Sequence, residues 1–191
     1  MFTIPTEISA RHIHLCREHL DKLFGENYEL TNLKDLTQKG QFAAQESITI
    51  KTEKNQIANV RIVGPLRSRT QLEISKTDAR HLGANPPVRK PGDLDGSVGC
   101  KLIGPKGEVD LKEGLVIAWR HIHLSPQDAA KYGLSPDKYV SVKIDADERS
   151  TTFHKVYIHL NPTFTPLFCL DTDEGNAAGI EGKCDGLVET D

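Results

Sequence analysis

The sequence predicts a mostly β protein with short helices, arranged as two internally similar domains in tandem. Three observations carry this. The pentapeptide RHIHL occurs twice, at 11–15 and 120–124, an offset of 109 residues. The same order of events follows each copy, a short amphipathic segment and then strand-like runs. Short runs rich in β-branched residues, bounded by Gly, Pro, Asn or Asp, dominate the rest. The repeat places one domain at 1–90 and the other at 91–191.

The strands expected in order are ESITIKT (46–52), ANVRIVG (58–64), TQLEIS (70–75), GLVIAW (114–119), YVSVKI (139–144) and HKVYIHL (154–160). Helix starts are marked by capping chemistry. Ser75 has Asp78 three residues on, Ser125 has Pro126 at the first helical position, and Asp171 has Glu174. Each of these helices is closed by glycine, at Gly83, Gly133 and Gly179, and a looser fourth runs from Cys16 to Gly25. Four strand-then-helix units result.

An apolar fraction of 37% over 191 residues suffices for one sizeable core or two small ones. With 24 basic and 27 acidic residues the net charge is −3, which removes nucleic acid as the default partner. No apolar run approaches the roughly 18 residues of a membrane span. Cys16, Cys100, Cys169 and Cys184 are too widely spaced for a CxxC zinc knuckle or redox motif. The N-terminus has no basic stretch followed by a long apolar one, so a reducing cytoplasm is expected and the thiols are read as free.

Histidine is the informative residue type. In an extended strand, residues two apart share a face, so His12 and His14, and likewise His121 and His123, converge on one side at about 6.5–7 Å between Cα atoms. Two residues before each helix cap stand His14, Glu73, His123 and Cys169, every one able to ligate a transition metal. Position in the pattern therefore offers two ligand sets: His12, His14 and Glu73 in the first half, His121, His123 and Cys169 in the second. Each set leaves one coordination position open, and zinc suits the donors ahead of iron, cobalt or nickel. Arg67, six residues before Glu73, offers a planar fork for phosphate or carboxylate. Arg11 and Arg120 alternate to the opposite strand face and are read as structural. The acidic run DTDEGNAAG lacks the spacing of a calcium loop, so Asp171 and Glu174 are read as capping residues.

Taken together, SARHIHL (9–15), QKGQFAA (38–44), VGPLRSRTQLEIS (63–75), AWRHIHL (118–124) and LDTDEGNAA (170–178) resemble the PduL-type phosphate acyltransferases, from Ser9 to about Gly179. The resemblance implies an enzyme that exchanges a short acyl group between coenzyme A and inorganic phosphate. It implies two tandem β-barrels, with strand exchange between them as one option, and the active site between them with two metal ions, usually zinc. His12, His14 and Glu73 match the ligands of one ion, and His121 and His123 two ligands of the other. Arg67 matches the family's essential arginine, while Ser9, Arg61 and Asn176 match coenzyme-A-contacting positions. Where the family has His in the motif H-(I/L)-D-T-D, this chain has Cys169. Thiolate is a good zinc ligand, so Cys169 is expected to coordinate. Acyl-CoA and phosphate are the expected partners, with a homodimer and a functional link to acetate kinase as further expectations. Only eight residues precede SARHIHL, which favours the cytoplasm over a bacterial microcompartment. A zinc hydrolase and a non-catalytic metal-stabilised module stand as alternatives.

Overall fold

A computed structural model describes residues 1–136 and 138–190. In chain order its elements begin β1 (Phe2–Ile8), β2 (His12–His14), α1 (Arg17–Phe24), β3 (Asn32–Asp35), β4 (Phe42–Lys51), β5 (Gln56–Gly64), β6 (Gln71–Glu73), α2 (Lys76–Leu82) and β7 (Val88–Arg89). They continue β8 (Val98–Ile103), β9 (Glu108–Ala118), β10 (His121–Leu124), α3 (Pro126–Lys131), β11 (Tyr139–Ile144), β12 (Thr151–Leu160), β13 (Leu167–Leu170), α4 (Thr172–Ala177) and β14 (Cys184–Glu189). The six strands and four helices expected from local pattern are all present.

The chain forms two compact units. One comprises Arg11–Leu36 and Gly40–Ala118, the other Met1–Ala10, Thr37–Lys39 and Trp119–Asp191. They are called here the first and second barrel. This division differs from 1–90 and 91–191. The strands at 88–118 complete the first barrel, and the amino-terminal strand belongs to the second. Local periodicity reports that a strand exists, whereas its neighbours are set by pairing over long sequence distances.

The first barrel closes through β4, β5, β2, β6, β9 and β8, with β8 pairing back to β4 and the short β3 and β7 attached outside this ring. The second closes through β11, β12, β10, β13, β1 and β14. Element by element the two rings correspond. β2 is parallel to β5 and antiparallel to β6, just as β10 is parallel to β12 and antiparallel to β13. β9 lies parallel to β6, and β1 lies parallel to β13. Each HxH strand is thus preceded along the chain by a strand of the other barrel. Closure leaves neither ring with a free edge to template aggregation.

Within RHIHL, alternation explains the design. Ile13 and Leu15 point into a core with Ile62 and Leu72, and Ile122 and Leu124 into one with Ile158 and Phe168, all with 0% exposure. The intervening histidines take the other face of each strand. The caps form as expected. Ser75 Oγ accepts from Asp78 N at 3.2 Å, Ser125 Oγ accepts from Asp128 N at 3.1 Å, and Asp171 and Glu174 make a reciprocal capping box. α2 ends on Gly83 at φ 65°, a left-handed turn that favours glycine. Gly175 is required for another reason: a Cβ there would lie 2.5 Å from Ile8 Cδ1, so β1 packs directly on α4.

Candidate metal centres

In the first barrel β2 runs between β5 and β6, with His12 opposite Arg61 on one side and Glu73 on the other. His12, His14 and Glu73 offer ligand atoms that all lie within 4.8 Å of one another. His14, only 3% exposed, donates Nδ1–H to the Val63 carbonyl at 3.0 Å, which leaves Nε2 as its free donor. Burial, the neighbouring His12 and the Arg67 charge hold the His14 pKa well below the usual histidine value, so the ring stays neutral, the form that ligates. His12 Nε2 is 3.8 Å from Glu73 Oε2. Two donors on one tetrahedral zinc stand about 3.3 Å apart, so small side-chain adjustments accommodate an ion.

A polar relay extends from this cluster. Gln71, buried, donates Nε2–H to Glu73 Oε1 at 2.6 Å, and its Oε1 accepts from Arg67 Nη1 at 3.4 Å. Burial lowers the Arg67 pKa and Glu73 opposes that shift, leaving a guanidinium that is partly desolvated beside the cluster. Its backbone N–H donates to the Leu15 carbonyl at 2.9 Å, which ties the 64–70 segment to the end of β2.

In the second barrel His121 donates Nδ1–H to the Trp119 carbonyl at 2.7 Å, and its Nε2 approaches His123 Nε2 to 3.0 Å. The third residue whose donor lies within 4.8 Å of both is His159 on β12, opposite His123 in the parallel ladder. Cys169 sits opposite His121 on β13, as Glu73 sits opposite His12, with its Sγ 3.8 Å from His123 Nδ1. Phe164 packs on His123 and His159 at ring-centroid distances of 4.3 and 4.9 Å.

Sequence pattern thus named the residues at both HxH strands and at Glu73, and missed Gln71 as a relay and His159 and Phe164 as neighbours of the second pair. Gln71 carried a legible signal, since it stands two residues before Glu73 on the same strand face. His159 carried none without knowledge that β12 lies beside β10.

The remaining expected residues occupy varied settings. Arg61 Nη1 donates to the Ala44 and Gln45 carbonyls at 2.9 and 2.7 Å, bracing β5 against β4. Ser9 is partly buried and its N–H donates to the Leu170 carbonyl at 2.7 Å. Asn176 is exposed on α4, and its carbonyl accepts from Arg149 at 3.2 Å. Arg11 and Arg120 are structural clips. Arg11 pairs with Asp78 at 2.8 Å and Arg120 with Glu174 at 2.9 Å, each acidic partner being the third residue of its helix. None of the four cysteines is in a disulfide, and burial pushes Cys100 up to about 12, which makes it a poor nucleophile. No helix among the described residues is long and apolar enough to cross a membrane.

The chain matches known proteins over most of its length. A family model described as phosphate propanoyltransferase matches residues 5–181. A phosphate propanoyltransferase of Lachnoclostridium phytofermentans is 50% identical over 180 residues, covering 94% of this chain and 84% of that protein. One from Thermotoga maritima is 49% identical over 171 residues, covering 90% and 81%. One from Salmonella typhimurium is 43% identical over 178 residues, covering 93% and 84%. With matches of this length resting on a fold whose two HxH strands gather metal-ligating side chains, the chain belongs to the phosphate propanoyltransferase family of acyltransferases.

Proposed function

We propose that this chain transfers a short acyl group, acetyl or propanoyl, between coenzyme A and inorganic phosphate to give the acyl phosphate. The observation that carries this is the Arg67–Gln71–Glu73 relay, which holds a guanidinium beside a cluster of metal-ligating side chains.

His12, His14 and Glu73 would hold one divalent cation, and His121 and His123 with a third donor would hold another, with zinc favoured by the donor types. Such ions, when bound, supply Lewis acidity toward a carbonyl or phosphoryl oxygen. The protein's own contribution is positioning. Arg67 binds phosphate through two parallel N–H donors and turns one of its oxygens toward the thioester carbonyl. That oxygen forms the new C–O bond, the C–S bond breaks, and coenzyme A departs as its thiolate. No side chain acts as nucleophile. Gln71 keeps the guanidinium from rotating away while phosphate is absent. Ser9, Arg61 and Asn176 are assigned to coenzyme A, with Arg61 contributing the N–H groups its β4 contacts leave over.

The test supplies acetyl phosphate or propanoyl phosphate with coenzyme A. Thioester formation, in whichever acyl chain length is preferred, is the expected result. Phosphate release without thioester overturns the reading.

A further inference from the structure

We propose that His159 is the third metal ligand of the second cluster, and that Cys169 positions His123 from outside the coordination sphere. This rests on the reading that the two HxH pairs hold divalent cations.

The strand register puts a candidate on each side of β10, with His159 opposite His123 and Cys169 opposite His121. Side-chain geometry separates them. The Nδ1–H of His121 is committed to the Trp119 carbonyl at 2.7 Å, so only its Nε2 can face an ion. That Nε2 lies 3.0 Å from His123 Nε2, close to the roughly 3.3 Å that separates two nitrogens on a tetrahedral zinc. The two imidazoles therefore converge through their Nε2 atoms. Cys169 Sγ faces the other nitrogen of His123, Nδ1, at 3.8 Å. The two ring nitrogens direct their lone pairs away from each other, so an ion at Nε2 and a sulfur at Nδ1 occupy opposite edges of the same ring.

His159 groups with both histidines. It offers a ligand atom within 4.8 Å of those of both His121 and His123, and its ring centroid is 5.7 and 5.4 Å from theirs. Phe164 packs on His159 and on His123, which restricts both rings to this arrangement. With Nε2 directed at the ion, the Nδ1–H of His123 donates to the Cys169 sulfur. That hydrogen bond fixes the tautomer as the Val63 carbonyl does for His14. The result is a neutral set of three imidazoles, with one coordination position left for substrate.

The test loads the full chain with cobalt(II) and reads metal content together with the absorption spectrum. Two ions per chain and no thiolate-to-cobalt charge-transfer band are expected of the unaltered protein. His159→Ala, or His159→Gln should the alanine variant not fold, should drop the content to the one ion held by His12, His14 and Glu73. Cys169→Ser keeps an acceptor and should retain both ions, whereas Cys169→Ala should weaken the second ion about 10- to 100-fold without changing the ligand-field bands. A charge-transfer band that disappears in Cys169→Ser overturns the proposal, as does a His159 variant that keeps two ions or an unaltered chain that binds fewer than two. Metal content that follows His159 in a protein without acyl transfer leaves this ligand assignment standing and refutes only the functional reading.

Discussion

Around His12 and His14 the neighbours are Glu73, Gln71 and Arg67; around His121 and His123 they are His159, Cys169 and Phe164. Both pairs sit on strands flanked by one parallel and one antiparallel neighbour in matching register, with an arginine just before each pair clipped to the third residue of a helix. Counted from the prolines at 65 and 162, Arg67 and Phe164 hold the same place, two residues on. A guanidinium in one barrel thus answers to an aromatic ring in the other. The repeat preserves backbone and packing, while the chemistry differs at side chains that the adjoining strands and loops contribute.

The largest expected effect tests whether the barrels are separable. Removing residues 1–8 takes β1 from between β13 and β14, so the second barrel should lose its fold while the first keeps its own ring of strands. Limited proteolysis that nicks Trp119–Glu189 and spares 11–118 is the expected readout. A truncated chain as protease-resistant as the full one would break the comparison.

Next comes the charged side of the first cluster. Arg67→Ala should reduce phosphate-dependent turnover by about 100-fold or more, the scale of losing a well-placed charge-stabilising donor, with metal content unchanged. Arg67→Lys should recover little, because an ammonium lacks the planar fork. Full activity in Arg67→Ala would remove the asymmetry as a functional matter.

A smaller loss is expected for Gln71→Ala. Without its amide, Glu73 Oε1 loses that hydrogen bond, and affinity for the first ion should fall about 10- to 100-fold in a competition titration while the second is unaffected.

The Arg120–Glu174 clip supplies a pH test. Burial pushes Glu174 up to about 7 from 4.5, outweighing its capping hydrogen bond from Asp171 N and the Arg120 charge. Because the folded-state pKa is raised, the native protein retains a proton that the unfolded chain has lost between those values. Stability should therefore decline as pH rises through that window and level off above about 7. Glu174→Gln should flatten this part of the Tm profile, and an unchanged slope would assign the pH dependence elsewhere. Last, Ser75→Ala and Ser125→Ala should each cost about 1 kcal/mol in denaturant unfolding, the usual worth of an N-cap. Cys16, whose side chain makes no capping bond, should tolerate alanine better.

Much of this was legible in sequence because it is local. Alternation within RHIHL separates Ile13 and Leu15 from the imidazoles, and counting back from Ser75 and Asp171 placed Glu73 and Cys169 at equivalent sites. The structure sets them opposite His12 and His121 respectively. What could not be read was adjacency. The parallel neighbour of β10 begins more than 25 residues after it, and nothing in HKVYIHL marks His159 apart from any other strand histidine. The assignment of β1 to the second barrel was hidden for the same reason. A strand of seven residues carries its inside and outside faces in its own pattern, but not the identity of the strands it will bond.

That assignment bears on how the protein is made. Among the strands of these two barrels β1 is made before all the others, and β13 and β14, which it joins, are made after them. The second barrel therefore cannot close until β14 has emerged, and its early strand must wait for its neighbours while the strands of the first barrel are made. The first barrel has all its strands as soon as β9 has emerged. Closure of the second barrel is then a late, long-range event, begun by a strand ahead of the first barrel and finished by strands behind it.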